Sequence, residues 1–163
     1  MSLLRTTFNN NMGISVIKDQ KKGSTSINKT DKNSIDNAVA LVMDMAKGSQ
    51  PDEAYDIADQ QPSKSFSKGD ESANLDTMYQ SLEEFVDYVK SAYPKIQLEA
   101  AIMDFNHSKS FFQNTNGVDF EIREGMYSFS PWFLSKEGKD TSSFNGTGFS
   151  ACLLYTSPSP RDA

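Results

Sequence analysis

An Asn-Gly pair, Asn116–Gly117, separates two β-rich segments at residues 110–113 and 118–126. Both residue types tolerate positive φ at little cost, and such a pair between β-rich segments is the strongest short-range signal for a β-hairpin. Residues 96–103 alternate in hydrophobicity with a period of two, which predicts a strand with one better-buried face. Residues 127–135 and 142–149 predict further strands around a turn at 137–140. The second half of the chain is therefore predicted to be an antiparallel meander.

The first half of the chain predicts a hairpin followed by a helix. Residues 12–18 and 23–28 are β-rich, and the polar residues 19–23 between them predict a turn. Asn33 or Ser34 is suited to cap the helix that follows, and Gly48 sits where a left-handed C-cap is expected. The helix's apolar residues recur at helical spacing on one face: Ile35, Ala38, Val39, Val42 and Ala46.

Residues 49–73 are rich in Ser, Asp, Gln and Pro, which predicts a long surface linker with little regular structure. A second helix is predicted from about Leu75 to Ala92, where Pro94 ends it. Its apolar stripe comprises Leu75, Met78, Tyr79, Leu82, Val86 and Val89. The resulting fold class is α+β: a mainly antiparallel sheet, made of a hairpin and a C-terminal meander, with two helices packed on one face.

Composition limits what the chain can do. Its 163 residues suit one domain, predicted to span residues 1–151. The net charge of −6 argues against a nucleic-acid surface, which needs clustered Lys and Arg. The sequence contains no apolar run of the roughly 20 residues that would span a bilayer, and no secretory signal. One cysteine excludes an internal disulfide framework. Together these features predict a cytoplasmic protein without a membrane or nucleic-acid partner.

No catalytic, cofactor-binding or metal-binding residue is predicted. The only histidine, His107, lies in the polar run 106–108 and is predicted to be a turn residue. A zinc site commonly needs two or three His or Cys ligands at regular spacing. A Ser-His-Asp triad stays open from composition alone, but the sequence has no Gly-x-Ser-x-Gly elbow.

Other polar and aromatic clusters also lack a specific signal. Residues 145–148 contain a Gly-x-Gly, but no third glycine and no helix follow, so no phosphate loop is predicted. The acidic pairs at 70–71 and 83–84 are interpreted as solvated surface. The aromatic residues Phe129, Trp132 and Phe133, with Tyr127 nearby, suit either a ligand platform or core plus an edge; we favour the second interpretation.

Residues 152–163 differ in character from the rest. Residues 152–162 resemble one reading frame of the adapter used in transposon-based DNA sequencing libraries. We therefore expect a non-biological tail, with a biological sequence that reaches about Ala151 and a Cys152 that is not natural. The alternative is a natural Ser/Pro-rich tail.

Collinear motifs resemble the N-terminal domain of the TldD/PmbA family. Residues 12–24 follow the pattern Gly-aliphatic-x-Val … basic-Gly-Ser, and Ser49-Gln50-Pro51-Asp52 matches a Ser-x-Pro-Asp linker. Residues 112–118 are similar to the family's Asn-(Ser/Thr)-x-Gly hairpin. An aromatic, Ser-rich strand at 128–135 and an acidic-Gly turn at 137–138 follow in the family's order. The resemblance extends from about Leu3 to Ala151.

This resemblance implies a place in a two-domain, dimeric, cytoplasmic metallopeptidase system that acts on unfolded or modified peptides. The family's catalytic member binds zinc through a His-Glu-x-x-x-His motif and a distant Cys in its C-terminal domain, and this chain contains no such motif. The chain is therefore expected to be inactive alone and to hold no cofactor itself.

The resemblance further implies a homo- or hetero-dimer with a TldD/PmbA-type subunit. We expect the domain to line a substrate chamber or a subunit interface, with edge strands near Thr141 to Phe149 available to a peptide or another chain. The alternative is a free-standing α+β binding or adaptor domain with no protease role.

Overall fold

The computed structural model describes residues 4–154 and divides into two compact units. Unit 1 contains residues up to Gln60 together with the short segment Asn114–Gly117. Unit 2 contains Gln61–Gln113 and the chain from Val118 onward. The predicted α+β class is confirmed, with two helices and mainly antiparallel strands. The two helices do not share one sheet, however, because each packs against the sheet of its own unit.

Unit 1 begins with a two-stranded antiparallel hairpin. Strand β1 is Met12–Lys18 and strand β2 is Lys21–Ile27, in a register that pairs Lys18 with Lys21. The turn therefore has two residues rather than the predicted five. Asp19 and Gln20 adopt φ of 52° and 59°, as a tight hairpin turn with the right twist requires. The Gln20 carbonyl accepts a hydrogen bond from the Asp52 N–H at 2.8 Å.

Helix α1, Lys32–Gly48, packs directly on this hairpin. Ala38, Val42 and Ala46 are buried, as their spacing predicts, whereas Val39, predicted for the same face, is exposed. A Cβ on Gly23 would lie 2.1 Å from the Val42 carbonyl oxygen, so only glycine lets the strand and the helix backbone approach this closely.

Both predicted caps of α1 are wrong. The N-cap is Asp31, whose Oδ1 accepts from the Ser34 N–H at 3.0 Å. An Asp at the N-cap position satisfies one of the helix's free donors, as Asn or Ser would have done. At the other end Gly48 remains helical, and the extended Ser49 is the C-cap.

Unit 2 is built on two long strands. Strand β4 is Ile96–Gln113 and strand β5 is Asp119–Glu137, paired antiparallel along nearly their whole lengths. The Asn-Gly hairpin between them is confirmed. The predicted breaks inside these strands are wrong: residues 106–108 continue β4, and residues 126–127 continue β5. A bulge between Leu98 and Ala100 is the only register irregularity in the pair.

The far edge of β5 is occupied by four short strands. They are β3 (Lys64–Lys68), β6 (Asp140–Thr141), β7 (Asn145–Gly146) and β8 (Phe149–Ala151). Strand β3 is parallel to β5, and the other three are antiparallel. The predicted linker 49–73 thus contains a strand. All five residues of β3 are exposed, so no apolar alternation marked it in the sequence.

Helix α2, Leu75–Ala92, lies against β4 and matches its predicted bounds. Its Asn74 cap accepts from the Thr77 N–H at 3.1 Å. Met78 and Val89 are buried, while Leu75 and Tyr79, predicted for the same stripe, are exposed. No helix within residues 4–154 is long and apolar enough to cross a membrane. Of the expected tail, residues 155–163 lie outside the described residues.

Candidate functional site

An apolar groove of about 370 Å³ runs between α2 and the sheet of unit 2. Helix α2 supplies Phe85 and Val89 to one wall, together with its C-cap Tyr93, and Phe149 lies on the other. The floor comes from β4 and β5: Ile96, Leu98, Phe129, Pro131 and Phe133. None of the lining residues carries a carboxylate, an amine or an imidazole. The groove is therefore suited to hold apolar side chains.

Aromatic packing holds the groove open. The Phe85 and Phe129 rings meet edge-to-face with centroids 4.8 Å apart, which keeps α2 away from the sheet backbone. Phe149 contacts Phe129 from the other side at 5.7 Å. Phe129 is only 7% exposed, whereas Phe149 is 58% exposed. The groove thus has a fixed floor and one wall that solvent reaches.

A polar contact fixes the chain segment that leads into α2. The hydroxyl of Tyr127 donates to Asp70 Oδ2 at 2.9 Å and accepts from the Asn74 N–H at 3.2 Å. Tyr127 is 2% exposed, and this burial raises the pKa of the phenol above its ordinary value of 10.0. The hydrogen bond to the Asp70 carboxylate raises the pKa further. The interpretation of Asp70 as mere solvated surface is therefore wrong.

Two glycines make this contact possible. A Cβ on Gly125 would lie 2.0 Å from the Asp70 carbonyl oxygen, and one on Gly69 would lie 2.2 Å from the Gly125 carbonyl oxygen. Gly69 also has a φ of +76°, which favours glycine. The backbone of residues 69–70 therefore lies in direct contact with the backbone of β5 at Gly125. The Tyr127 hydroxyl holds this segment in place through its hydrogen bonds with Asp70 and Asn74.

A charged cluster lies on Arg123 and its neighbours in unit 2. Arg123 contacts Glu121 at 2.6 Å and Glu71 at 3.4 Å, and Lys109 contacts Glu121 at 3.1 Å. Hydrogen bonds from Arg123 and then Lys109 lower the pKa of Glu121. The cations and carboxylates are matched and solvent-accessible, so the cluster resembles an ordinary surface network.

His107 is not a turn residue. It lies in the middle of β4 opposite Gly125 and is exposed. A strand at the edge of a sheet can carry several polar residues in succession. The same kind of run is typical of a turn, and for this reason residues 106–108 were predicted to be one. Within residues 4–154, no three His, Cys, Asp or Glu side chains lie close enough to hold a metal ion.

The predicted aromatic cluster divides between the two faces of the sheet. Tyr127 and Phe129 are buried and Phe133 is half-buried, all on the face that α2 covers. Trp132 points to the opposite face, is 46% exposed and contacts Phe144 at 6.2 Å. The interpretation as core plus an edge describes this arrangement. The groove beside Phe129 was missed, because its existence depends on how far α2 stands from the sheet.

The two edges of the unit 2 sheet differ. Residues 141–149, expected to offer an edge, form only fragments of strand on β5, although every one of them is exposed. Thr147, Gly148 and Phe149 instead form one wall of the groove. The longer free edge belongs to β4, which among the described residues pairs with β5 alone.

The described fold matches part of a solved structure. The chain resembles TldE from Thermococcus kodakarensis with a TM-score of 0.70 and 15% sequence identity, over 88% of this chain. The chain spans 34% of the length of TldE. At the level of fold, the resemblance to the TldD/PmbA family is therefore confirmed. No protein-family model matches the chain, and the search of curated proteins gave no match.

Proposed function

We propose that this chain is the N-terminal part of a TldD/PmbA-like metallopeptidase subunit, and that it binds peptide chains without cleaving them. The observation that carries the proposal is the apolar groove beside α2, in a chain whose fold matches about a third of TldE. Zinc and the residues that bind it would belong to a further domain of the subunit.

The chemistry of the groove supports binding rather than catalysis. Its lining is apolar apart from Thr147, Gly148 and the Tyr93 hydroxyl, so it recognises bulk and hydrophobicity instead of a particular charge. Unfolded peptides expose apolar side chains that folded proteins bury. A groove beside an exposed segment, residues 141–149, suits an extended chain that places such side chains in succession.

The groove also suits the wall of a substrate chamber or a contact with another subunit of the same type. Phe149 and Tyr93 are both more than half exposed and lie on opposite walls of the groove. A peptide or partner that covered them would remove apolar surface from water. The domain itself then acts as a cytoplasmic binding element of the peptidase.

Phe149→Ser tests the binding role. The probe is reduced, carboxymethylated α-lactalbumin that carries a fluorescein label, a chain that stays unfolded, and the readout is the fluorescence anisotropy of the label. We expect Phe149→Ser to weaken binding about tenfold, because a buried Phe contributes roughly 1.5–3 kcal/mol. Phe8→Ser is the matched control, since Phe8 is 94% exposed in unit 1.

Equal affinities for the two variants, or no binding by the unchanged chain, would remove the groove from the proposal. The family assignment has its own test: reading the source gene through codon 151 on one long DNA molecule. We expect the reading frame to continue for roughly 250 or more residues, one to two further domains. A His-Glu-x-x-x-His motif there would identify a zinc-bearing subunit, and its absence a zinc-less one. A stop codon directly after Ala163 would instead favour the adaptor domain with no protease role.

A further inference from the structure

The chain contains two Asn-Gly pairs, Asn116–Gly117 and Asn145–Gly146. Asparagine is a thermolabile residue, and a following glycine lacks the Cβ that would shield the next backbone nitrogen. In such a pair the glycine nitrogen can attack the side-chain carbonyl carbon of the asparagine, which is the first step of deamidation. Both pairs consist of the same two residues, so a large difference in their reactivity must come from the fold.

The fold restrains the first pair through several hydrogen bonds. The Gly117 N–H, which would supply the attacking nitrogen, donates to the Asn114 carbonyl at 3.2 Å. The Asn116 N–H donates to Asn114 Oδ1 at 3.0 Å. The leaving group is held as well, because Asn116 Nδ2 lies 3.2 Å from the carbonyl oxygens of both Ile57 and Ala58. All of these residues belong to unit 1. Attack at Asn116 therefore requires the turn to lose several hydrogen bonds together.

The second pair is held more weakly. It forms strand β7, which has only two residues, and both are exposed. Among residues 4–154, the Asn145 amide donates only to the Ser143 carbonyl, at 2.9 Å. The Thr147 N–H donates to the Pro131 carbonyl of β5 at 3.3 Å. Because bonded and non-bonded residues alternate along an antiparallel ladder, the Gly146 N–H next to it points away from β5. The ladder thus leaves the attacking nitrogen unrestrained.

We propose that Asn145 is a site of spontaneous deamidation in the folded chain, that the fold protects Asn116, and that conversion at Asn145 detaches β7 from β5. The reaction requires only the atoms of residues 145–146 and water. It therefore needs no partner molecule and no unoccupied surface. The inference goes beyond the proposed function and holds whether or not the groove binds a peptide.

The chemical steps balance with solvent alone. The Gly146 nitrogen gives its proton to hydroxide and attacks Asn145 Cγ. The new N–Cγ bond closes a succinimide ring, while the Cγ–Nδ2 bond breaks and Nδ2 leaves as ammonia with a proton from water, which regenerates the hydroxide. A second water then opens the ring at Cγ to give aspartate, or at the α-carbonyl carbon to give isoaspartate. One water is consumed, one ammonia is released, and nothing is oxidised or reduced.

Conversion changes the backbone that carries one wall of the groove. Either product places a carboxylate at position 145, which pairs with Phe133 in the sheet. In isoaspartate the main chain also runs through Cβ and Cγ and is one atom longer, so the following residues lose their register with β5. Those residues are Thr147, Gly148 and Phe149, which line the groove. Detachment of β7 therefore moves this wall.

Peptide mapping by mass spectrometry tests the site. The full 163-residue chain is kept in neutral to mildly alkaline buffer and digested at intervals. We expect deamidation at Asn145 to be about tenfold or more faster than at Asn116, because opening the turn breaks more hydrogen bonds than opening β7. The rate should rise with pH, since the glycine nitrogen must lose its proton. In concentrated urea the two sites should convert at similar rates, which makes the unfolded chain the internal control.

Two variants test the cause of the difference. Asn114→Ala removes the bonds from Asn114 Nδ2 to the Ala58 carbonyl and from the Asn116 N–H to Asn114 Oδ1. It should accelerate deamidation at Asn116 severalfold and leave the rate at Asn145 unchanged. Asn145→Gln should abolish conversion at position 145 on the same time scale, because the longer side chain must close a six-membered ring.

Amide hydrogen exchange tests the detachment of β7. Anion exchange separates the converted chain, which carries one more negative charge, from the unconverted chain. We expect the Thr147 N–H, which donates to the Pro131 carbonyl, to lose protection in the converted chain. The same incubation should leave Thr147 protected in Asn145→Gln.

Three results would overturn the inference. Equal rates at the two pairs in the folded chain, or no conversion at Asn145, would remove the site. The same ratio of rates in urea would assign the difference to sequence and not to the fold. A converted chain with unchanged exchange at Thr147 would contradict the detachment of β7. None of these results bears on the binding role or the family assignment, which Phe149→Ser and the gene sequence test separately.

Discussion

The two helices of this molecule pack on their sheets in opposite ways. Helix α1 packs directly against the strand backbone at Gly23, and its buried residues are Ala38, Val42 and Ala46. Helix α2 meets its sheet through aromatic rings, with Phe85 on Phe129, and leaves a groove of about 370 Å³. The size of the contact residues thus decides whether a helix–sheet pair is closed or has room for a ligand. The helix of unit 1 is in close backbone contact with its hairpin, whereas the helix of unit 2 leaves a groove beside its sheet.

The largest effect is expected from Gly23→Ala in unit 1. Its Cβ would lie 2.1 Å from the Val42 carbonyl oxygen and 2.8 Å from the Ala46 nitrogen, so α1 must move away from β2. We expect a loss of about 3 kcal/mol in the free energy of unfolding of unit 1, at the upper end for overpacking. Circular dichroism during urea unfolding measures it, while Trp132 fluorescence reports on unit 2 in the same sample.

Gly13→Ala is the matched control on the neighbouring strand. Nothing lies within 4 Å of a Cβ at Gly13, and its φ is not positive. We expect a change within about 0.5 kcal/mol, or a slight gain from the stiffer unfolded chain. If the two alanine variants were equally stable, close backbone contact would not be what holds α1 to the hairpin.

A Val→Leu change made separately on each helix tests the comparison directly. Val42 is 0% exposed against the Gly23 contact, so Val42→Leu should cost about 1–3 kcal/mol through overpacking. Val89 lines the groove, where one more methylene has space, so Val89→Leu should stay within about 1 kcal/mol of the unchanged chain. Equal costs, measured by urea unfolding, would mean that the groove closes in solution.

A smaller loss than at Gly23 is expected from Tyr127→Phe, which keeps the ring and removes the hydroxyl. The Asn74 N–H and Asp70 Oδ2 would each lose a partner, at a cost of about 1–2 kcal/mol. Gly125 and the crossing at 69–70 remain in place, so unit 2 should still fold.

The pH dependence of Tyr127 has a definite sign. Because the folded pKa is raised, the unfolded state loses its phenol proton first. The stabilisation is therefore fully present below the ordinary value of 10.0 and falls as the pH rises from there toward the raised folded value. Thermal unfolding between neutral and alkaline pH should show this loss in the unchanged chain and less of it in Tyr127→Phe.

Much of the fold was predictable because its signals are local. Helix α2 has an apolar stripe and a following proline, and the Asn-Gly turn forms from adjacent residues. Strand β3 was missed because it is fully exposed and pairs with residues more than 50 positions away. His107 was misplaced because the edge of a strand tolerates polar residues. The groove depends on the contact between Phe85 and Phe129, which no pattern within either segment encodes.

The central claim, that unit 2 takes up an unfolded chain and does not cut it, is tested most directly by mapping backbone amide NMR shifts during titration with reduced, carboxymethylated α-lactalbumin. The account predicts shifts concentrated at Phe85, Val89, Phe129 and residues 147–149, with the probe recovered intact. Shifts confined to unit 1, or no shifts at all, would contradict binding at the groove. Cleavage of the probe by this chain would contradict the non-catalytic role.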